Sequence, residues 1–377
     1  MKKLTLLLLA ALLLIAVFAP ITFAATAPPY GVVGKYTSGV YTYNLINNGK
    51  EVRIEHSTKA KGALTIPAKI ANKPVTQIGT GAFATRAVTS VKIPEGVKSI
   101  SANAFDTCTS LSAVTLPSTL TSIGTYAFCW CVSLGAITLP AKLKTLGASA
   151  FAGSGLTKIT LPSGLTSIPA SCFESCDSLK NVSVPGTVKS IGALALAGCG
   201  QLSTLTLPQG TTTVASNAFK KSGKLKNITI NTTIGAGQKY TLPNYAAVKA
   251  ANWKGGNTSL LKKTSGVTYQ GMKTGKATYY VTDGEKRKLT VNVTVKAAPT
   301  KIVYKKTAVT LKKGATYATA VTITPSGAQG TRTYTSANVK IAKVDGGGKI
   351  TAVAKGKTTI TVKTYNGKTA KFTVTVK

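Results

Sequence analysis

Histidine is almost absent from this chain of 377 residues; His56 is the only one. Acids are scarce too: nine, against 47 Lys and Arg, for a formal net charge of +38. Glu51, Glu55, Glu95, Asp106, Glu174, Asp177, Asp283, Glu285 and Asp345 are scattered rather than paired. A Cys–His nucleophile needs an imidazole beside its thiol, and acid–base catalysis needs converging titratable groups. No P-loop or nucleophile elbow occurs, and Glu174 and Asp177 match no catalytic pattern. The expectation is therefore a non-enzyme, with no catalytic residue, no metal site and no cofactor. Only two Trp and nine Phe are present, and the basic residues show no aromatic interleaving of the kind found in single-strand nucleic-acid grooves.

What the chain does have is a beat. Pro94, Pro117, Pro140, Pro162, Pro185 and Pro208 are spaced 23, 23, 22, 23 and 23 residues apart. Phe83, Phe105, Phe128, Phe151, Phe173, Leu196 and Phe219 keep the same period, most of them preceded by Ala. Two markers in one register over seven units mean a repeat array, whose units stack to share one core. In Leu111-Ser112-Ala113-Val114-Thr115-Leu116-Pro117, Val114 and Leu116 face inward, while Ala113 and Thr115 face outward. Proline ends the strand because it cannot donate to a ladder. Phe128 and its equivalents plug each coil.

The pattern L-x-x-V-x-L-P, then I-G, then A-F-x-x-C-x-S-L resembles the BspA-like, or Treponema-type, leucine-rich repeat. Cys108–Leu111, Cys131–Leu134 and Cys176–Leu179 match closely, and Leu196 departs by replacing the Phe. The resemblance covers about residues 60 to 230. It implies a bacterial surface or secreted protein of the kind implicated in adhesion to host matrix or other cells, and it carries no catalytic motif.

Residues 1–24 read as a secretory signal peptide: Lys2 and Lys3, an apolar run from Leu4 to Phe18, and Thr22-Phe23-Ala24 at the cut. A retained anchor is the alternative; the short run ending at Pro20 favours cleavage. After cleavage no membrane span is expected, so the protein is placed outside the cell, released or held by non-covalent contacts. Residues 25–74 read as an N-terminal cap and first irregular repeat, with Asn47-Asn48-Gly49 turning a hairpin. Residues 75–235 form the solenoid of 22–23-residue repeats.

Beyond Ile230 the beat stops, and short alternating runs rich in Thr, Val, Lys and Gly follow. Residues 298–377 resemble a group 2 bacterial immunoglobulin-like domain. The marks are Val309-Thr310-Leu311 before Gly314, Ile341 to Asp345, and Gly348 to Val353 leading to Gly356. Lys273–Thr278 and Leu289–Val295 echo Ala354–Thr359 and Ala370–Val376. Residues 236–297 are accordingly expected to be a shortened first copy, with Trp253 near the place of Tyr334. The fold class is thus mainly β: a leucine-rich repeat solenoid followed by immunoglobulin-like β-sandwich domains, a family used for stalks and adhesive modules.

Six cysteines follow the repeat. Cys108, Cys131, Cys176 and Cys199 lie three residues after the plug, where Ser154 and Ser222 stand in other repeats. The ladder position suggests small buried side chains carrying free thiols, while stacked coils bring the positions close enough that Cys108–Cys131 and Cys176–Cys199 could instead bond.

The candidate binding surface is the outward strand face: Lys92, Thr115, Thr138, Lys158, Thr160, Asn181, Ser183, Thr206, Asn227 and Thr229. It is flat, hydroxyl-rich and without large aromatics, which fits glycan, extended-chain or weak multivalent protein partners rather than a high-affinity hot spot. Threonine also simply suits an exposed strand. Charge is uneven: 17 basic and 6 acidic residues over 51–235, but 26 and 3 over 236–377. Lysine guards strand edges, and at this density it also favours anionic cell-wall polymer or acidic glycans. Sequence-specific nucleic-acid reading is not expected of an exported chain. The expected partners are an extracellular protein or glycan, with wall polymer as the ligand of a purely structural alternative.

Overall fold

The computed structural model describes residues 36–57, 59–246 and 252–377; the signal-peptide segment 1–24 lies outside them. Every regular element among the described residues is a strand.

Each coil contributes three parallel walls. The first holds the L-x-x-V-x-L strands: Lys61–Thr65, Ala87–Lys92, Ala113–Thr115, Lys158–Thr160, Asn181–Ser183, Thr204–Leu207 and Asn227–Gly235. Their register puts like residues side by side, as in Val91 against Val114 and Ile159 against Val182. Residues 136–138 occupy the corresponding place in their coil without forming a strand, so the ladder is open there. The second wall consists of two-residue strands such as Ser99–Ile100, Ser122–Ile123 and Thr145–Leu146. Gly124 lies just after one of them because the coils approach closely: a Cβ there would stand 2.5 Å from the Ala102 amide nitrogen.

The third wall is built from turns. The plug N–H donates to the residue before the next plug: Phe83 to Ala104, Phe105 to Ala127, Phe128 to Ala150. From Phe83 to Leu196 the residues two before and two after each plug take left-handed backbone, so N–H groups on one side point at the next coil; at Phe219 only Lys221 does so. Asn103 (φ 57), Thr107 (φ 57), Tyr126 (φ 57) and Trp130 (φ 54) are examples. Inside, the plugs stack: ring centroids from Phe83 to Phe173 are 5.1, 5.2, 5.4 and 5.8 Å apart, with planes within 10°. Leu196 interrupts the column, and Phe219 then meets Tyr245 at 6.5 Å.

Both ends are closed. The hairpin Tyr41–Ile46 and Glu51–His56 caps the start and pairs in parallel with Lys73–Ile78. At the other end the expectation of a separate shortened immunoglobulin-like domain needs correction. Lys288–Lys296 pairs in parallel with Asn227–Gly235 over nine residues, and Asn244–Tyr245 extends the second wall beside Thr213–Val214. Residues of 236–297 belong to the same core as the coils, including Leu242, Tyr245, Val291 and Val295. This segment continues and closes the solenoid.

Residues 298–377 carry their own core of Ile302, Ile350, Ile360, Phe372 and Val374. Ala308–Leu311, Thr369–Val376, Gly356–Thr364 and Arg332–Ser336 form one sheet; Thr316–Ala318, Lys349–Ala352 and Ala342–Val344 form another. Alternating burial along Gly356–Thr364 and Thr369–Val376 is what an immunoglobulin-like sandwich requires. The unit is fastened to the solenoid end. The Tyr365 hydroxyl donates to the Ala236 carbonyl at 2.5 Å, Gln238 Nε2 donates to Thr331 Oγ1 at 3.2 Å, and the Thr331 N–H donates to Gln238 Oε1 at 3.3 Å.

Candidate binding surface

Of the ten outward residues proposed from sequence, nine are exposed and Thr229 is half-buried. Strand pairing aligns them into two columns. Lys92 stands beside Thr115, Lys158 beside Asn181, Thr160 beside Ser183, and Thr206 beside Thr229. Thr138 lies on the unpaired segment between the first two of the wall's three paired segments; the second break falls between Asn181–Ser183 and Thr204–Leu207.

The surface is larger than sequence reasoning found. Because Lys288–Lys296 joins the same sheet, Lys288 stands beside Asn227, Thr290 beside Thr229, and Asn292 beside Asn231. Asn292 Nδ2 donates to Asn231 Oδ1 at 2.9 Å, and Thr278 Oγ1 donates to Asn292 Oδ1 at 3.0 Å. The Lys288 ammonium sits 4.5 Å from the Tyr280 ring centroid. The face assigned no large aromatic thus ends on one. The alternation of Leu289–Val295 showed a strand; only the fold shows that its partner is 61 residues away.

Two further aromatics stand on the turn wall. Tyr126 and Trp130 are 42% and 53% exposed, both in left-handed backbone. Trp130 lies over Gly153 of the next coil; a Cβ at Gly153 would come within 2.6 Å of the indole.

The cysteines are all free and buried. In the four at the repeat slot the thiol donates to the plug carbonyl one coil back: Cys108 to Phe83, Cys131 to Phe105, Cys176 to Phe151, Cys199 to Phe173, at 3.0 to 3.2 Å. The Ser222 hydroxyl does the same to Leu196 at 2.7 Å. Burial pushes the Cys108 and Cys176 thiols up to about 11 and Cys129 to about 12, so thiolate is scarce at neutral pH. His56 is held below the ordinary imidazole range by burial and then by the Arg86 charge. No cluster of three His, Cys, Asp or Glu able to hold a metal ion occurs among the described residues.

A buried polar network ties the closing segment to the last coil. Arg287 Nε donates to Asp283 Oδ2 at 2.8 Å, and the Tyr245 hydroxyl donates to the same oxygen. Arg287 Nη1 reaches the Phe219 carbonyl at 2.7 Å and Glu285 Oε2 at 2.7 Å. After the last repeat, arginine thus serves the plug carbonyl that a Cys or Ser serves elsewhere.

A stacked-coil solenoid with a polar outward sheet, closed at both ends and followed by a sandwich domain, defines a class of binding or structural proteins. Residues 76–199 and 166–263 match the BspA type leucine rich repeat region, in six copies. Residues 298–376 match the bacterial Ig-like domain of group 2. The chain belongs to the BspA-type leucine-rich repeat proteins and carries a group 2 bacterial Ig-like domain. The repeat match runs to residue 263, inside the segment that closes the solenoid. Among solved structures, a leucine-rich repeat protein from Bacteroides ovatus is 26% identical, with 56% of this chain and 60% of that one covered and a TM-score of 0.49. A leucine rich repeat protein of T. pallidum is 25% identical over 52% of this chain and 86% of that one, with a TM-score of 0.39. A lacto-N-biosidase of Bifidobacterium bifidum is 45% identical over 69 residues, which are 18% of this chain and 6% of that enzyme.

Proposed function

We propose that this is an exported, non-catalytic bacterial adhesin that contacts matrix, glycans or other cells through the outward sheet of its solenoid. The observation that carries the reading is the polar outward face that recurs coil after coil from Lys92 to Lys288 across three ladder segments, with exposed Thr, Ser, Asn and Lys side chains at strand spacing within each. Such a surface offers many similar hydrogen bonds and no deep anchor, which suits a repetitive partner held by multivalency. The Ig-like domain, with 15 basic residues and one acid over 298–377, serves as a basic spacer.

A second reading has its own support. That same charge density favours retention on anionic wall polymers without a discrete ligand. The two separate in a salt series on the mature chain and on segments 25–297 and 298–377, offered to immobilised matrix proteins, glycans and wall polymer. A cut at 235 would sever the pairing of Asn227–Gly235 with Lys288–Lys296, so 297 is the boundary. Binding that stays with 25–297 at high salt supports the adhesin. Binding that follows 298–377, spreads over every polyanion and vanishes with salt supports charge retention and sinks the adhesin reading.

A further inference from the structure

Where the Ig-like domain meets the solenoid end, the two line a half-open cleft of about 290 Å³, whose Gln, Thr and Arg side chains are solvent-exposed. Its lining is polar. Gln209 and Thr233 come from the solenoid, and Gln329, Thr331, Arg332 and Tyr334 from the Ig-like domain. Thr233 lies on the strand Asn227–Gly235, two alternating positions beyond Thr229, so the cleft opens at the edge of the outward sheet.

Three features separate this cleft from an incidental gap between domains. First, its walls are pinned. Gln238 holds the Thr331 backbone and hydroxyl, the Gln329 N–H donates to the Ala297 carbonyl at 3.1 Å, and the Tyr365 N–H donates to the Thr331 carbonyl at 3.0 Å. Second, close approach is built in. A Cβ at Gly330 would lie 2.1 Å from the Tyr365 ring, whereas Gly346 and Gly347 keep the rim low. Asp345 Oδ1 accepts from the Gly347 and Lys349 amides at 2.9 Å and fixes that turn. Third, the charge is one-sided. Arg332 is the only charged lining residue, and its guanidinium has no ion pair among the described residues.

We propose that this cleft is a subsite for a sugar bearing a carboxylate, of the uronic acid class. A guanidinium fork matches a carboxylate in two parallel hydrogen bonds. Two glutamines and two threonines offer donors and acceptors for ring hydroxyls, and the half-buried Tyr334 ring gives an apolar surface for a sugar face. The volume lies at the lower end of small-molecule sites, ~300 Å³ and upward, which fits one ring rather than an oligosaccharide. The remainder of such a glycan would run onto the sheet face. The proposal deepens the glycan reading of that face and rests on it for the choice of ligand.

The test uses the full mature chain and two free probes, methyl glucuronide and methyl glucoside, titrated by protein-observed NMR at 0.3 M NaCl. The expected result is saturable shifts at Gly330, Gly346 and Gly347 with the glucuronide, at least tenfold weaker with the glucoside. Arg332→Gln weakens the glucuronide at least tenfold, while Lys371→Gln, which removes an exposed charge outside the cleft, leaves it unchanged. Equal binding of the two sugars, or equal loss in both variants, overturns the carboxylate subsite. The solid-phase salt series on segment 25–297 lacks the Ig-like wall of the cleft, so it judges the sheet face separately.

Discussion

The Cys108 thiol donates to the carbonyl oxygen of Phe83, one coil back, at 3.0 Å. The plug carbonyl already accepts the Arg86 N–H at 3.1 Å and has a second lone pair free for another donor. A small side chain with one donor fills that place, which is why Cys and Ser share the slot. Cys108→Ser should therefore change stability little. Cys108→Ala should cost about 0.5–1.5 kcal/mol, the worth of one hydrogen bond, because the carbonyl keeps the Arg86 N–H at 3.1 Å. Urea denaturation of the two variants decides; an alanine variant as stable as the serine one contradicts the role.

The same burial predicts inert thiols. All six should resist a thiol-reactive disulfide reagent at pH 8 in the folded protein and react together on unfolding, with no shift on a non-reducing gel. Rapid labelling of any one in the native state would show that the coils open there.

Trp130 and Gly153 are a coupled pair. Gly153→Ala should be destabilising, both from its positive φ of 66° and from contact with the indole. Trp130→Ala should remove the second part only. In a double-mutant cycle, Gly153→Ala should cost less in the Trp130→Ala background than with the indole in place; additive effects would deny the contact.

Thr107 is a β-branched residue held at φ 57. Left-handed backbone costs such a residue about 1–2 kcal/mol, and glycine pays none of it in the folded state. Thr107→Gly should be neutral or stabilising, despite the greater freedom of glycine in the unfolded chain. A clear loss in thermal stability would mean that the bond from the Thr107 hydroxyl to Asp106 Oδ1, at 3.2 Å, outweighs the strain.

Arg287 and Asp283 tie the closing segment to the last coil. Breaking a buried pair by removing one partner typically costs about 3–5 kcal/mol, so Arg287→Met should loosen residues 236–297 in hydrogen exchange. Burial alone would raise the Asp283 carboxyl. Hydrogen bonds from Tyr245 and Arg287, with the Arg287 charge, outweigh it and leave the group below its ordinary value of 3.8. Its contribution is thus fully present above pH 3.8 and is lost as the pH falls through the lower folded value. Asp283→Asn should flatten that acid limb of the stability curve. An unchanged limb would assign acid sensitivity to other groups.

The period, the strand faces and the plug column could be read from the chain itself. Residues at equivalent places in stacked coils meet the same neighbours, so Phe128 and Phe151 repeat because their surroundings repeat. The outward placement of Thr115 and Thr160 followed from alternation alone. The thiol state did not, because one strand spacing suits both a disulfide and two separate donors to Phe83 and Phe105. Nor did the fate of 236–297. Alternating apolar residues in Leu289–Val295 look the same whether the strand joins a sandwich or a solenoid. Its partner, Ile228–Ile234, is chosen by the need to cover the last coil's open edge and apolar core. Only that tertiary choice carried Tyr280 and Lys288 onto the outward face, and only the docking of the Ig-like domain brought Arg332 opposite Gln209.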